Sequence, residues 1–241
     1  MRVQSQPAYV LHARPYRETS LIVEVFSRQY GRLGMVAKGA RNPKSRLRPL
    51  LLPFQPLLLS WSGKGELLLL TAVEATGPAC ELTGRGRYAG FYLNELIIRL
   101  LHRYDAHEDL FDRYMEVLAS MYREDAIQES LRIFEKHLLT ETGYGLILDR
   151  DAATGDPLDP DKLYRYVPEH GPELCQGGNQ GGMCIHGSSL LDLDRGFFSN
   201  GRSRYESRKL IGFLLERQFS GRVLRSRQIF HQVLSRLENR P

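Results

Sequence analysis

Five short runs rich in Leu, Val, Ile, Tyr and Phe fill the first eighty residues, at 8–13, 21–26, 32–37, 50–61 and 66–73. Turn-forming residues separate them: Pro15, the Tyr30-Gly31 pair, an irregular basic stretch, and Gly63-Lys64-Gly65. Apolar runs of this length, punctuated in this way, read as strands. With no helical period between them, the strands must satisfy one another's edges, and a small closed barrel does so in little chain.

The basic stretch between the third and fourth runs is VAKGARNPKSRLRPLLL, from Val36 to Leu52. Lys38, Arg41, Lys44, Arg46 and Arg48 fall within eleven residues of it, with no acid among them. Gly39, Asn42 and Pro43 break the backbone, so the charges sit on a loop and not on a helix face. A dense cationic loop on a β scaffold suits a polyanion backbone. Five-stranded barrels of the OB type bind single strands with such grooves and with exposed aromatic side chains. Of Tyr9, Tyr16, Tyr30, Phe54 and Trp61, most are expected to fill the barrel interior. Tyr16 is the expected exception, since it lies in a turn with Arg14 and Arg17. An OB-fold RNA-binding protein of ribosome or tRNA metabolism fits the same features, because recognition of a 2′-hydroxyl leaves no mark in a sequence.

Past a linker at 78–86, the apolar period becomes helical. A first helix is expected over 88–101, apolar almost all round and hence buried. A second opens at Asp105, with Glu108 completing a capping box, and a third spans 128–142 and stops at Gly143. Residues 149–201 are rich in Gly, Pro and Asp and are expected to be irregular, with a short strand at 164–167 and a flexible tip at 176–182. A second capping box, Ser203 with Glu206, opens a helix that ends at Gly221, and a last helix covers 227–237. The expected class is α+β: a five-stranded OB barrel over 1–80, then a mainly α-helical domain over 81–241 carrying the irregular insertion.

Charge is distributed unevenly. Residues 1–80 carry a net +7, 81–198 a net −9 and 199–241 a net +7. Arg222, Arg225 and Arg227 form a second basic patch near the C-terminus. Such a pattern attracts nucleic acid at some surfaces and repels it at others. Three cysteines make no disulfide framework, no apolar run approaches a membrane span, and the first residues lack a signal-peptide core, so a cytoplasmic protein is expected. Catalytic motifs are missing. Gly63-Lys64-Gly65 lacks the spacing of a phosphate-binding loop, and His107-Glu108 is followed by Phe111 where a zinc-protease helix needs its second His. A hydrolase using His170, His186 and the Asp-rich loop is the minority alternative; the expectation is no enzyme and no cofactor.

Several segments resemble the bacterial RecO family. The chain from Tyr9 to Leu59, with its AKGAR segment, is similar to it, as are FYLNELIIRLL at 91–101, LRIFEKHLLTETGYG at 131–145, YRYVPEHG at 164–171 and GRVLRSRQIF at 221–230. The resemblance implies a non-catalytic protein that binds single- and double-stranded DNA and anneals complementary strands. It also implies work with RecR and RecF to load RecA onto strands coated by single-stranded DNA-binding protein (SSB), whose acidic C-terminal tail the helical domain holds. On this likeness Lys38, Arg41, Lys44, Arg46 and Arg48 grip phosphates, with Arg14, Tyr16 and Arg17 as outlying contacts. Arg132 meets the tail's terminal carboxylate, and Leu96, Phe111 and Tyr114 are candidates for its apolar pocket. Many members carry a four-cysteine zinc knuckle after the third helix. Here that stretch keeps only Cys175 and Cys184, so no metal is expected.

Overall fold

β1 (Arg2–Tyr16) is long enough to pair along both of its edges, and this closes the barrel. The computed structural model describes residues 2–175, 183–219 and 224–226. The C-terminal half of β1 pairs antiparallel with β2 (Ser20–Ser27), which pairs antiparallel with β3 (Gly31–Ala37). Its N-terminal half pairs antiparallel with β4 (Leu57–Ser62). β5 (Leu67–Ala75) joins β4 antiparallel and β3 parallel, giving the closed order β1-β2-β3-β5-β4. Register shifts between Val3 and Gln6 and between Val10 and His12 bend β1 round the barrel. This is the five-stranded OB barrel expected from the sequence.

The interior follows the pleat. Leu57, Leu59 and Trp61 alternate inward on β4 and meet Val10, Val23, Val25, Leu33 and Met35. Trp61 is wholly buried, with the Tyr30 ring edge-on at 5.2 Å. The fourth strand is shorter than the apolar run 50–61, because Pro53 and Pro56 keep the chain out of the ladder until Leu57.

The chain falls into two compact units. The first holds the chain up to Glu124 and takes up again at Val223; the second is Asp125–Arg222. In the first, the barrel carries α1 (Gly84–Leu100) and α2 (Glu108–Ser120). A buried polar chain fixes α1 and α2 on the barrel: Asn94 Nδ2 donates to the Leu11 carbonyl at 2.9 Å, and the Tyr114 hydroxyl donates to Asn94 Oδ1 at 2.6 Å. Tyr9, Phe26 and Phe111 pack round that hydroxyl-bearing ring. The link between the helices is held as well: Tyr104 N donates to the Arg32 carbonyl, and Arg103 reaches Glu24 and the Glu66 carbonyl. Gly31 permits this approach. Its φ is +63°, and a Cβ there would lie 1.7 Å from the Asp105 carbonyl oxygen.

α2 departs from its expected start. It begins at Glu108 with His107 at the cap position and no side-chain cap, so Asp105 forms no capping box. Glu108 instead binds Arg28, whose guanidinium also forks onto Asp112 at 3.0 and 2.9 Å. That charge-assisted fork outcompetes a local cap.

In the second unit α3 (Ile127–Glu141) and α5 (Gly201–Gln218) pack with α4 (Gly187–Arg195) around Phe134, Leu138, Leu190, Leu193, Leu210 and Ile211. The segment expected to be irregular is more ordered than its composition implies. β6 (Leu163–Val167) is the central strand of a three-stranded sheet, flanked by β7 (Gly171–Leu174) and β8 (Met183–His186), and α4 follows directly. α5 is capped by Asn200, whose side chain accepts from Ser203 N at 2.9 Å. Ser203 is therefore the third helical residue and not the cap. Glu206 is committed elsewhere, accepting from His186 N at 3.1 Å and pairing with His186 Nδ1 at 2.7 Å. Residues 176–182, Gly221 and the expected last helix at 227–237 lie outside the described residues.

Candidate nucleic-acid interface

Strand register puts the basic loop and the β1–β2 turn at one end of the barrel. Tyr16 pairs with Ser20 to close the turn, and Leu21 pairs with Ala37, the last residue before the loop. The two segments are then bonded directly. Arg41 N donates to the Thr19 carbonyl at 2.8 Å, and Arg41 Nη1 donates to the Arg17 carbonyl at 3.0 Å. The Arg17 guanidinium lies 5.2 Å from the centroid of the half-buried Tyr16 ring. Arg17 itself has a φ of +51°, a left-handed conformation that points to a tight, committed turn.

The loop is fastened from beneath. Ala40 and Leu51 belong to the barrel core and Leu47 packs against it, while Asn42, Ser45 and Leu50 make local backbone bonds to Gly39, Asn42 and Leu47. Sequence logic explains the arrangement: apolar residues anchor the loop at intervals and the cations between them face water. Lys38, Arg41, Lys44, Arg46 and Arg48 are all exposed, as are Arg14 and Arg17. Among the described residues no carboxylate lies within ion-pair range of any of these seven cations. Arg28, Arg99 and Arg103, by contrast, are each held by a carboxylate. Seven cations without a paired carboxylate thus stand on this loop and turn, a charge pattern that suits a polyanion.

The C-terminal basic patch is represented by Arg225, which is exposed; Arg222 and Arg227 lie outside the described residues. Glu95, the acid of the NEL segment, holds this part of the chain. It accepts from Arg225 N at 3.0 Å, Ser226 N at 2.8 Å and Ser226 Oγ at 2.6 Å, and pairs with Arg99 at 2.7 Å. Burial raises the Glu95 pKa, but the bonds from Ser226 and Arg225 and the charge of Arg99 outweigh it and leave it below the ordinary value. A depressed folded pKa stabilises the contact above the unfolded value and is lost as pH falls through the folded one. Glu95→Gln is therefore expected to speed amide exchange at Arg225 and Ser226 by about tenfold at neutral pH, the equivalent of one charged hydrogen bond. The difference from wild type should shrink as pH falls through the Glu95 titration; an equal difference at pH 3 and pH 7 would contradict the assignment.

A further basic face was not read from the sequence. On α5, Arg202, Tyr205, Arg208 and Lys209 are exposed, with the Arg208 and Lys209 charges 5.8 and 4.9 Å from the Tyr205 ring centroid. Phe197, just before the helix, is 68% exposed. The signal lay in the spacing RSRYESRK, where cations recur on one helical face around a tyrosine.

The residues expected to hold an acidic peptide are placed differently. Leu96, Phe111 and Tyr114 are enclosed in the core of the first unit and present no surface to a peptide. Their periodicity marked a helix face packed on the barrel, which apolar side chains at helical spacing usually are. Arg132 is in the second unit, 8% exposed, with its Nη1 2.7 Å from Oε2 of the fully buried Glu135. That contact is a charge pairing without hydrogen-bond alignment. Glu129, another acid near it in sequence, is paired with Arg204 at 2.8 Å.

The cysteine and histidine side chains of the second unit do not fit a four-ligand metal centre. Cys175 and Cys184 are together, but His186 is held by Glu206 and His170 lies 3.5 Å from Glu173. Among the described residues no three potential ligands converge. No helix among the described residues is long and apolar enough to cross a membrane.

A five-stranded OB barrel with an uncompensated basic loop, joined to helices and a small sheet, is the class of protein that this architecture defines. Family profiles described as "Recombination protein O N terminal" and "Recombination protein O C terminal" match residues 1–79 and 84–226. The chain is 46% identical over 235 residues to DNA repair protein RecO of Dechloromonas aromatica, covering 96% of this chain and 97% of that one. It is 45% identical to DNA repair protein RecO of Nitrosococcus oceani over the full length of both chains, and 44% identical to that of Ralstonia nicotianae over 95% and 84%. The chain belongs to the RecO family.

Proposed function

We propose that this chain acts in DNA repair as a non-catalytic mediator that binds single- and double-stranded DNA and anneals complementary strands. The observation that carries this reading is the exposed, unpaired set Lys38, Arg41, Lys44, Arg46 and Arg48, fixed at the barrel end beside Arg17 and Tyr16. Cations held on an anchored loop neutralise phosphates without first having to be ordered, and each phosphate contact adds about 0.7–0.9 to the salt slope of binding. Tyr16, partly covered by Arg17, offers a face for stacking an unpaired base. Arg14 and Arg225 extend the cationic surface of the first unit, and Arg222 and Arg227 carry further charge in the sequence beside Arg225. The basic face of α5 supplies cations on the second unit, so that two strands could be neutralised by one protein and base pairing then drives annealing.

The family resemblance extends the proposal to partners: SSB-coated strands, the SSB C-terminal tail, RecR, and RecF and RecA in the same pathway, in the cytoplasm at the nucleoid. Arg132 is the residue proposed for the tail carboxylate, which would have to compete with Glu135 for the guanidinium. Annealing of complementary oligonucleotides precoated with SSB tests the mediator role, using SSB with and without its tail. The expected result is rapid annealing that depends on the tail and is weakened by Arg132→Ala. Annealing no faster than background, despite tight strand binding, would overturn it.

A further inference from the structure

Cys175 follows directly on β7, and Cys184 lies within β8, the strand on the far side of β6. Both are positioned by β6: Cys175 N donates to the Leu163 carbonyl at 2.9 Å, and Cys184 is the register partner of Arg165. Nine positions apart in sequence, the two thiols sit with Sγ atoms 3.2 Å apart. They line an open pocket of about 450 Å³ with Asp151, Lys162, Arg165 and Glu173, so a small oxidant can reach them. Neither sulfur takes part in the DNA-binding reading, and a metal centre is short of ligands here. Cys80, the remaining cysteine, belongs to the other compact unit.

We propose that Cys175 and Cys184 form a reversible dithiol–disulfide site that hydroperoxide-class oxidants close within one chain. Cys184 is exposed and meets the oxidant first. Its thiolate attacks the peroxide, cleaves the O–O bond and becomes a sulfenic acid, with release of one water after proton transfer. Cys175 then displaces the sulfenic oxygen as a second water and the S–S bond forms. Overall two thiols lose two protons and two electrons, and one hydrogen peroxide is reduced to two waters, or one alkyl hydroperoxide to its alcohol and one water. Burial and the neighbouring Cys184 thiol push Cys175 up to about 11, while Arg165 pulls the other way, which disfavours Cys175 as the thiol that meets the oxidant and leaves that step to the exposed Cys184. Closing the bond shortens the sulfur separation by about 1.2 Å, within reach of side-chain rotation. The product ties the end of β7 to β8 across β6.

Intact-mass measurement of the reduced, full-length chain titrated with hydrogen peroxide tests the site. The expected result is a loss of about 2 Da, a peptide map joining Cys175 to Cys184, and reversal by dithiothreitol. Cys80→Ser should behave as wild type, whereas Cys175→Ser should trap Cys184 as a sulfenic acid captured by dimedone. Gain of oxygen without loss of 2 Da in the wild-type chain would overturn the proposal. So would a disulfide involving Cys80, or cross-linked dimers in place of the internal bond.

Discussion

Reversing three charges of the basic loop, as Lys38→Glu, Arg41→Glu and Lys44→Glu together, is expected to weaken single-strand binding by roughly 100-fold at about 0.1 M salt. The logarithmic salt slope should fall by about 2–3 at the same time, because each lost phosphate contact removes about 0.7–0.9. All three side chains are exposed and none is in an ion pair among the described residues, so the change removes attraction without breaking a structural contact apart from the Arg41–Arg17 bond. Substitutions at such positions usually alter stability by no more than about 0.5 kcal/mol each. Binding and folding should therefore separate: affinity collapses while the thermal midpoint stays nearly in place. Fluorescence anisotropy over a salt series, with a melting curve of the same variant, measures both. An unchanged salt slope would remove the loop from the interface.

Tyr114→Ala is expected to have the opposite profile, with stability lost first and binding affected only through unfolding. The ring is wholly buried between Tyr9 and Phe26, and its hydroxyl completes the chain through Asn94 to the Leu11 carbonyl. Truncating a large buried aromatic costs about 3–5 kcal/mol. That is a large share of the roughly 5–15 kcal/mol that holds a domain together. Tyr114→Phe keeps the packing but leaves Asn94 Oδ1 without its donor, at a cost of about 1–3 kcal/mol. Met115→Ala, next in sequence but 40% exposed, should change little. Denaturant midpoints of the three variants check the order Ala at 114, then Phe at 114, then Ala at 115. Burial also raises the Tyr114 pKa well above the ordinary value and that of Tyr9 to about 12. Both rings then contribute stability below the ordinary tyrosine pKa, which is lost as pH rises through the folded values.

The two variants mark where the sequence was readable. The barrel was legible because five short apolar runs with turn residues between them admit few arrangements, and in the fold Leu57, Leu59 and Trp61 alternate inward along one of them. The basic loop was legible because five cations without an acid interrupt it. Leu96, Phe111 and Tyr114 show the limit: periodicity says that a face is buried, not which surface buries it. Helix starts were misread for a related reason. Glu108 and Glu206 both have the spacing of a capping box, yet Arg28 and His186 hold them through tertiary bonds. β7 and β8 have four residues each, too few to show a period, and β7 itself opens with Gly171 and Pro172. They are strands because β6 supplies their hydrogen bonds, and the meeting of Cys175 with Cys184 follows from that sheet and not from local sequence.

Annealing of two bare complementary oligonucleotides, followed by fluorescence quenching at one protein concentration, tests the central claim most directly. Wild-type protein should accelerate duplex formation well above the protein-free rate, and the triple loop variant should return it close to that rate while remaining folded. Equal acceleration by the two proteins would contradict the assignment of strand pairing to Lys38, Arg41 and Lys44.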